Sequence, residues 1–206
     1  MQKIIKIFLL LLVVVFSMSM KADCTKWAEE LIASQTPQKA GNKFPTVTYD
    51  FWDKHEIGKN LVSKSITYEQ MDKAIFVVVP GAFTPTCTSK HIRPFVDAYD
   101  KEESLLSKNK IPTFIIARDN VDVMTAWAKS MGINNNLLNV IPDPDYKLLG
   151  QLGLLEQNSR LGLIGKRSIF YVKDGIILDL KSEEANSDVK VTSVQQAEEF
   201  WSKHLN

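Results

Sequence analysis

A cysteine stands where a buried strand is expected to give way to a helix. The apolar run 74–79 stops at Pro80-Gly81, a pattern that predicts a strand ending in a turn, and Cys87 follows in the same loop. If a helix begins near Cys87, its sulfur faces unpaired backbone N–H groups and the positive end of the helix dipole. Both favour the nucleophilic thiolate, so the loop predicts a reactive cysteine suited to hydrolysis, acyl transfer or redox chemistry.

Hydrolysis by this cysteine would need a general base that a third group holds in place. His91 lies one helical turn beyond Cys87, whereas the other histidines, His55 and His204, stand in polar surroundings. We expect His91 to be a partly exposed helix residue rather than a base. Hydrolysis therefore has little support.

Reduction of a peroxide makes smaller demands on the site. A thiolate attacks one oxygen, and nearby donors stabilise the oxygen that departs. Thr84 supplies a hydroxyl, the backbone amides after Thr86 can donate, and an arginine would add permanent charge. Pro80 and Pro85 predict a rigid rim that partly excludes water. The residues alone still allow an ordinary loop around a buried, inert cysteine.

The stretch from Pro80 to Thr88, Pro-Gly-Ala-Phe-Thr-Pro-Thr-Cys-Thr, resembles the signature of the peroxiredoxins, specifically the peroxiredoxin 5 group. The resemblance covers roughly residues 43–205, and it is carried further by His91-Ile92, Phe95, 122–127, 143–145, 152–154 and the segment from Arg167 to Gly175. It implies a thioredoxin-like α/β fold, with a central mixed β-sheet flanked by helices. It also implies thiol-dependent reduction of hydrogen peroxide and alkyl hydroperoxides through a cysteine sulfenic acid.

The resemblance assigns roles to individual side chains. Cys87 matches the peroxidatic cysteine, Thr84 the hydroxyl that contacts sulfur and peroxide, and Pro80 the residue that shields the site. Arg167 matches the arginine that activates the thiolate and holds the peroxide. Its assignment rests on the register relative to Gly175, and its rivals nearby in the sequence are Lys166 and Arg160.

Two features depart from the family pattern. Pro94 is displaced by one position from the usual Leu-Pro-Gly, which bears on the helix kink and on any dimer surface there. No cysteine follows Cys87 in the chain. The sulfenic acid would then be reduced by an external thiol of the glutathione, glutaredoxin or thioredoxin type, or by Cys24. The other interpretations of Cys24 are a free surface thiol near the mature N-terminus, which we favour, and half of a static disulfide, which would consume the reactive thiol.

Residues 1–22 have the pattern of a secretory signal peptide: lysines, the apolar run 7–16, then small residues. The run is shorter than the roughly 20 residues that a membrane span needs. We expect cleavage after Ser19 or Ala22 and no stable membrane insertion afterwards. The destination would be a periplasm or the extracellular space, or an organelle lumen in a eukaryote.

The composition bounds the remaining classes. With 206 residues, 45% apolar and 24% charged, the chain resembles an ordinary globular protein. The net charge of +1 becomes −2 when the three lysines of residues 1–22 are removed, so no nucleic-acid surface is expected. The chain has no Cys-x-x-Cys motif, which argues against dithiol exchange and zinc ribbons. No metal, haem or flavin is implied.

The expected organisation is a signal peptide over 1–22, an extension over 23–42 and one domain over 43–206. Alternating strands and helices predict an α/β sandwich. The predicted strands are 44–49, 74–79, 112–117, 137–142 and a hairpin of 168–173 with 176–180; the predicted helices are 86–106 with a kink at Pro94, 121–131, 145–152 and 193–201.

We expect a homodimeric peroxidase. Two other functions remain open at this point. One is a thiol oxidoreductase of the same fold with no peroxide step. The other is a redox-sensing module that uses Cys87 as a switch and passes its oxidation to a partner.

Overall fold

The computed structural model describes residues 25–53, 56–67, 70–101, 104–133 and 136–205. Its strands are β1 (Val47–Trp52), β2 (Leu61–Ile66), β3 (Lys73–Val78), β4 (Thr113–Ala117), β5 (Leu138–Pro142), β6 (Leu155–Asn158), β7 (Gly162–Gly165), β8 (Ser168–Lys173) and β9 (Ile176–Ser182). Its helices are α1 (25–34), a π-helix (Thr86–Ile92), α2 (Arg93–Asp100), α3 (Leu105–Lys108), α4 (Val121–Ser130), α5 (Lys147–Leu152) and α6 (Val194–His204).

Five strands form the central sheet in the order β5-β4-β3-β8-β9. The pairs β5–β4 and β4–β3 are parallel, whereas β3–β8 and β8–β9 are antiparallel. The expected central mixed sheet is therefore confirmed. Pro142 lies on β5, an edge strand, where a missing N–H costs the ladder least.

The sheet separates two hydrophobic cores. Alternate residues of β3 point to opposite faces: Ile75 and Val77 join one core, while Phe76 and Val78 join the other. The first core contains Cys87 and side chains of α2, α4 and α6. The second is covered by α5, the β1–β2 hairpin and α1.

The prediction of one kinked helix over 86–106 was wrong, because the segment contains three separate helices. This segment begins with the π-helix, at whose end the N–H of Arg93 donates to the carbonyl of Thr88. Pro94 then occupies the first turn of α2, where its missing N–H is tolerated, so it does not kink a continuous helix. Helix α2 ends at Asp100, and Ser104 caps the separate helix α3.

Two small antiparallel sheets were not predicted as such. Strand β1 pairs with β2 beside the central sheet, and β6 pairs with β7 in a hairpin whose alternation is too short to recognise from sequence. The predicted hairpin of β8 and β9 is present, with Asp174 and Gly175 at positive φ in its turn. Ser193 caps α6, as predicted, by accepting a hydrogen bond from Gln196 N.

The segment that follows α1 lies against the β6–β7 hairpin and α5. The Gln35 side-chain amide exchanges hydrogen bonds with both backbone groups of Leu155, at 2.7 and 3.1 Å. Pro37 packs so closely on Gly153 that a Cβ there would lie 2.4 Å from the proline Cα. None of the described helices is long and apolar enough to span a bilayer.

Candidate active site

The site forms where β3 ends and β8 begins, at the same end of the central sheet, because these two strands run antiparallel. Val78, at the end of β3, pairs with Ser168, at the start of β8. Pro80 follows β3 and Arg167 precedes β8, so these two residues meet at the same end of the paired strands. The pairing joins parts of the chain that are distant in sequence.

Cys87 lies in the first turn of the π-helix with only 1% of its surface exposed. Arg167 Nη2 donates a hydrogen bond to Cys87 Sγ over 3.3 Å. Arg167 is itself 1% exposed. A buried guanidinium that donates to sulfur stabilises a thiolate, because the interaction is poorly screened away from water.

The guanidinium of Arg167 has three further hydrogen bonds. Nη1 donates to His91 Nδ1 over 2.7 Å, and Nε and Nη2 donate to the Asn186 carbonyl over 3.1 and 2.8 Å. An arginine has five N–H groups. One Nη1 N–H is therefore left without a partner among the described residues, and Arg167 lines the open cleft.

His91 is buried, so the expectation of a partly exposed helix residue was wrong. Because arginine can only donate, His91 Nδ1 must accept, which places the imidazole proton on Nε2. That proton is donated to the Thr192 carbonyl, 2.8 Å away. Burial, with a second contribution from the Arg167 charge, lowers the pKa of His91 from 6.5 to about 3 against the opposing hydrogen bond to Thr192. His91 is a neutral acceptor that orients Arg167.

The loop of residues 183–192 carries both carbonyls that the arginine and histidine use. Glu183 closes this loop: its Oε1 accepts from the backbone N–H groups of Lys190, Val191 and Thr192 over 2.7 to 2.9 Å. The Thr192 hydroxyl donates to the same oxygen. The 183–192 loop is thereby folded around a buried carboxylate, which fixes the acceptors behind Arg167.

Pro80, Thr84, Cys87 and Arg167, the four residues predicted for the site, line one cleft of about 510 Å³. Pro80 is buried against its wall. The Thr84 hydroxyl donates to the Gly81 carbonyl over 3.1 Å, so its oxygen keeps lone pairs that can accept a hydrogen bond. Between Arg167 and its sequence rivals, the geometry favours Arg167, which donates to the sulfur. Arg160 lines the same cleft but is exposed, and Lys166 is not among the residues that line it.

Trp127, predicted to pack in the core, is fully buried and also donates to the Thr88 hydroxyl over 3.0 Å. Cys24 lies outside the described residues. Within the described ranges, no group of three or more His, Cys, Asp or Glu side chains is arranged to hold a metal ion.

Sequence reasoning missed the roles of His91, Glu183 and Asn186. A signal for His91 was present, since it stands one turn beyond Cys87 in a helix. Nothing local to the polar stretch 182–188 distinguishes Asn186 from a solvated loop residue.

The fold and the site define a thioredoxin-like protein in which a buried arginine is bound to a buried cysteine. Comparison with known proteins agrees: the Redoxin family model matches residues 39–197. The chain belongs to this family and, within it, to the peroxiredoxins.

Three proteins illustrate the similarity, two by sequence and one by structure. Chloroplastic Peroxiredoxin-2E of Arabidopsis thaliana is 32% identical over 152 residues, covering 71% of this chain and 62% of the relative, so the chain spans less than two thirds of that protein. Putative peroxiredoxin-B of Candida boidinii is 27% identical over 164 residues, covering 78% and 96%. Reduced Prx3 of Vibrio vulnificus, solved in complex with H2O2, shares the fold with a TM-score of 0.66 at 22% identity, covering 81% of this chain and 98% of that one.

Proposed function

We propose that the protein is a thiol-dependent peroxidase that reduces hydrogen peroxide and alkyl hydroperoxides. The Cys87 thiolate attacks one peroxide oxygen, the S–O bond forms and the O–O bond breaks. The sulfur is oxidised to sulfenic acid, and the departing oxygen takes a proton to leave as water or alcohol. The observation that carries the proposal is the hydrogen bond from Arg167 to Cys87 Sγ.

Three groups around the sulfur have matching tasks. Arg167 holds the thiolate and offers its unpartnered Nη1 N–H to a peroxide oxygen, where negative charge develops. The Thr84 oxygen accepts a hydrogen bond from the peroxide O–H and so orients the O–O bond. Pro80 walls the cleft and limits water. A relative of the same fold, Prx3 of Vibrio vulnificus, was solved in its reduced form with H2O2.

Stopped-flow tryptophan fluorescence with hydrogen peroxide tests this proposal. The protein should show a fast phase that Cys87→Ser abolishes and that Arg167→Ala slows by about 10² to 10³-fold. Arg160→Ala is the matched control, because it removes the same charge from the same cleft without touching the sulfur, and it should leave the fast phase unchanged. A wild-type rate no faster than that of free cysteine would refute the proposal.

The sulfenic acid must be returned to the thiol by a reductant. We infer that an external thiol does this, of the glutathione, glutaredoxin or thioredoxin type, unless Cys24 resolves Cys87 first. Non-reducing peptide mass spectrometry after one equivalent of peroxide separates the two routes. A Cys24–Cys87 linkage identifies an internal route, whereas sulfenic or sulfinic Cys87 alone identifies an external one.

The setting of the activity is also part of the proposal. Residues 1–22 would export the protein to a periplasm, the extracellular space or an organelle lumen, where it removes peroxides as a homodimer. Fusion of residues 1–22 to a reporter that lacks its own signal tests export. Light scattering coupled to size-exclusion chromatography tests the dimer, and a monomeric mass would exclude it.

A further inference from the structure

Asn186 holds Arg167 at both ends of the arginine. The Asn186 carbonyl accepts from the guanidinium Nε and Nη2, at 3.1 and 2.8 Å. The Asn186 side-chain Oδ1 accepts from the Arg167 backbone N–H over 2.8 Å. Asn186 therefore binds both the backbone N–H of Arg167 and the guanidinium that donates to the sulfur.

Glu156 fixes the orientation of Asn186 in turn. Asn186 Nδ2 donates to Glu156 Oε1 over 2.5 Å. Since Nδ2 faces a carboxylate and Oδ1 faces a backbone N–H, the amide has one satisfied orientation. Glu156 belongs to β6, which lies in the cleft-lining β6–β7 hairpin. The contact ties that hairpin to the 183–192 loop.

We propose that Glu156 and Asn186 form a positioning pair that sets the Arg167 guanidinium in line with Cys87 Sγ. Neither side chain bonds to the sulfur, so both act through Arg167. Without the pair, the arginine keeps its charge, but the Asn186 backbone carbonyl that accepts from its guanidinium is no longer held in place. Its effect on peroxide reduction rests on the proposed function, whereas its effect on the arginine does not.

Exchanging the amide and the carboxylate between positions 186 and 156 tests the pair. Asn186→Asp alone keeps the acceptor for the Arg167 N–H but sets a second carboxylate beside Glu156, and the repulsion disturbs the contact. Adding Glu156→Gln supplies an amide that can donate to the new carboxylate, with the same net charge as the original pair. Glu184→Gln is the matched control, since Glu184 is an exposed acid of the same loop that lines the same cleft.

Two readouts apply to each variant. Hydrogen exchange of the Arg167 Nε–H, followed by NMR, reports the guanidinium directly. The ratio of the Cys87 rate with peroxide to its rate with iodoacetamide reports alignment, because alkylation needs the thiolate but no oriented oxygen. A loss of overall structure would also lower the ratio, because it exposes the buried Cys87 to alkylation, so far-UV circular dichroism must show the native fold in each variant.

We expect Asn186→Asp to speed Nε–H exchange and to lower the rate ratio by about 10 to 10²-fold, as for a catalytic group displaced by a fraction of an ångström. The double variant should restore both readouts to within about threefold of wild type, and Glu184→Gln should change neither. Unchanged Nε–H exchange in Asn186→Asp, or no rescue in the double variant, would overturn the positioning pair. A slow wild-type peroxide reaction would refute the proposed function, while the exchange pattern would still decide the pair.

Discussion

At the scale of residues, the site contains a buried positive charge that is surrounded by neutral acceptors and one sulfur. His91 remains neutral because a protonated imidazole would face the Arg167 guanidinium at hydrogen-bond distance in a poorly hydrated interior. The Asn186 carbonyl is the other neutral acceptor of Arg167, and the Thr192 carbonyl accepts from His91. The Cys87 sulfur is the remaining partner of the guanidinium.

His91 makes stability depend on pH. The pKa of His91 is 6.5 in the unfolded reference and about 3 in the folded chain, so between these values the unfolded chain binds a proton that the native state excludes. The free energy of unfolding therefore falls as pH is lowered from 6.5 toward 3, by on the order of a few kcal/mol. His91→Gln should remove this slope in urea titrations across that window. His204→Gln, at an exposed histidine, should retain it; an unchanged slope in His91→Gln would contradict the assignment.

Thr84 offers a second residue-scale prediction. Its hydroxyl proton is used by the Gly81 carbonyl, so its oxygen is free to accept from peroxide. Thr84→Val keeps the shape and removes the oxygen, and should slow oxidation of Cys87 by about tenfold or more, the value of one hydrogen bond. Thr84→Ser should stay close to wild type in the same stopped-flow assay. Equal rates for the valine and serine variants would exclude the role.

At the scale of elements, the N-terminal segment supports the hairpin that lines the cleft. Gln35 occupies the backbone groups of Leu155, Gln38 donates to the Gln151 carbonyl, and Pro37 covers Gly153. Residues 35–38 therefore hold the end of α5 and the start of β6 together. The next residue of β6 is Glu156, so this clamp adjoins the contact with the 183–192 loop.

Gly153 tests the clamp. Gly153→Ala combines a strained positive φ of 70° with a Cβ that meets Pro37, and should force residues 35–38 away. Gly132→Ala is matched, because Gly132 has a φ of 72° and open space around its Cβ position. We expect Gly132→Ala to cost about 1 kcal/mol and Gly153→Ala roughly 1–3 kcal/mol more in chemical denaturation. Equal losses would show that Pro37 gives way freely.

At the scale of the whole molecule, the central sheet separates a core that contains Cys87 from a core that does not. The second core contains a stack of Phe44 on Phe76, with ring centroids 4.0 Å apart, and of Phe76 on Phe114 at 5.0 Å. The first core contains Cys87 and Trp127, whose Nε1 reaches Thr88 beside the cysteine. Changes in the two cores should therefore have different consequences.

A pair of core substitutions distinguishes the two faces. Phe44→Leu should lower the free energy of unfolding by about 1–3 kcal/mol and leave the rate of Cys87 oxidation within about twofold. Trp127→Phe should lower the oxidation rate as well, because it removes the hydrogen bond to Thr88 from the π-helix. Thermal unfolding and the peroxide assay, run on both variants, measure the two effects. A matching loss of rate in Phe44→Leu would contradict the separation.

The sequence predicted those parts of the structure that are local. The apolar run before Pro80 and the turn chemistry of Asp174-Gly175 specify their strands without help from distant residues. The π-helix was not predictable from propensity, and neither was the burial of His91, which depends on a loop about a hundred residues away. Asn186 lies in a polar stretch, and its importance arises only where that stretch folds back on Arg167.

The antiparallel pairing of β3 with β8 also has a consequence for the order of folding. Cys87 and Arg167 are 80 residues apart in sequence, and they meet only after Val78 has paired with Ser168. Such long-range strand pairing is slow to form, because loop closure precedes the contacts that reward it. In a chain that has not yet folded, Cys87 therefore lacks the hydrogen bond from Arg167, and we expect peroxide to oxidise it no faster than free cysteine. On the proposed function, reactivity toward peroxide would thus be acquired only with the tertiary structure.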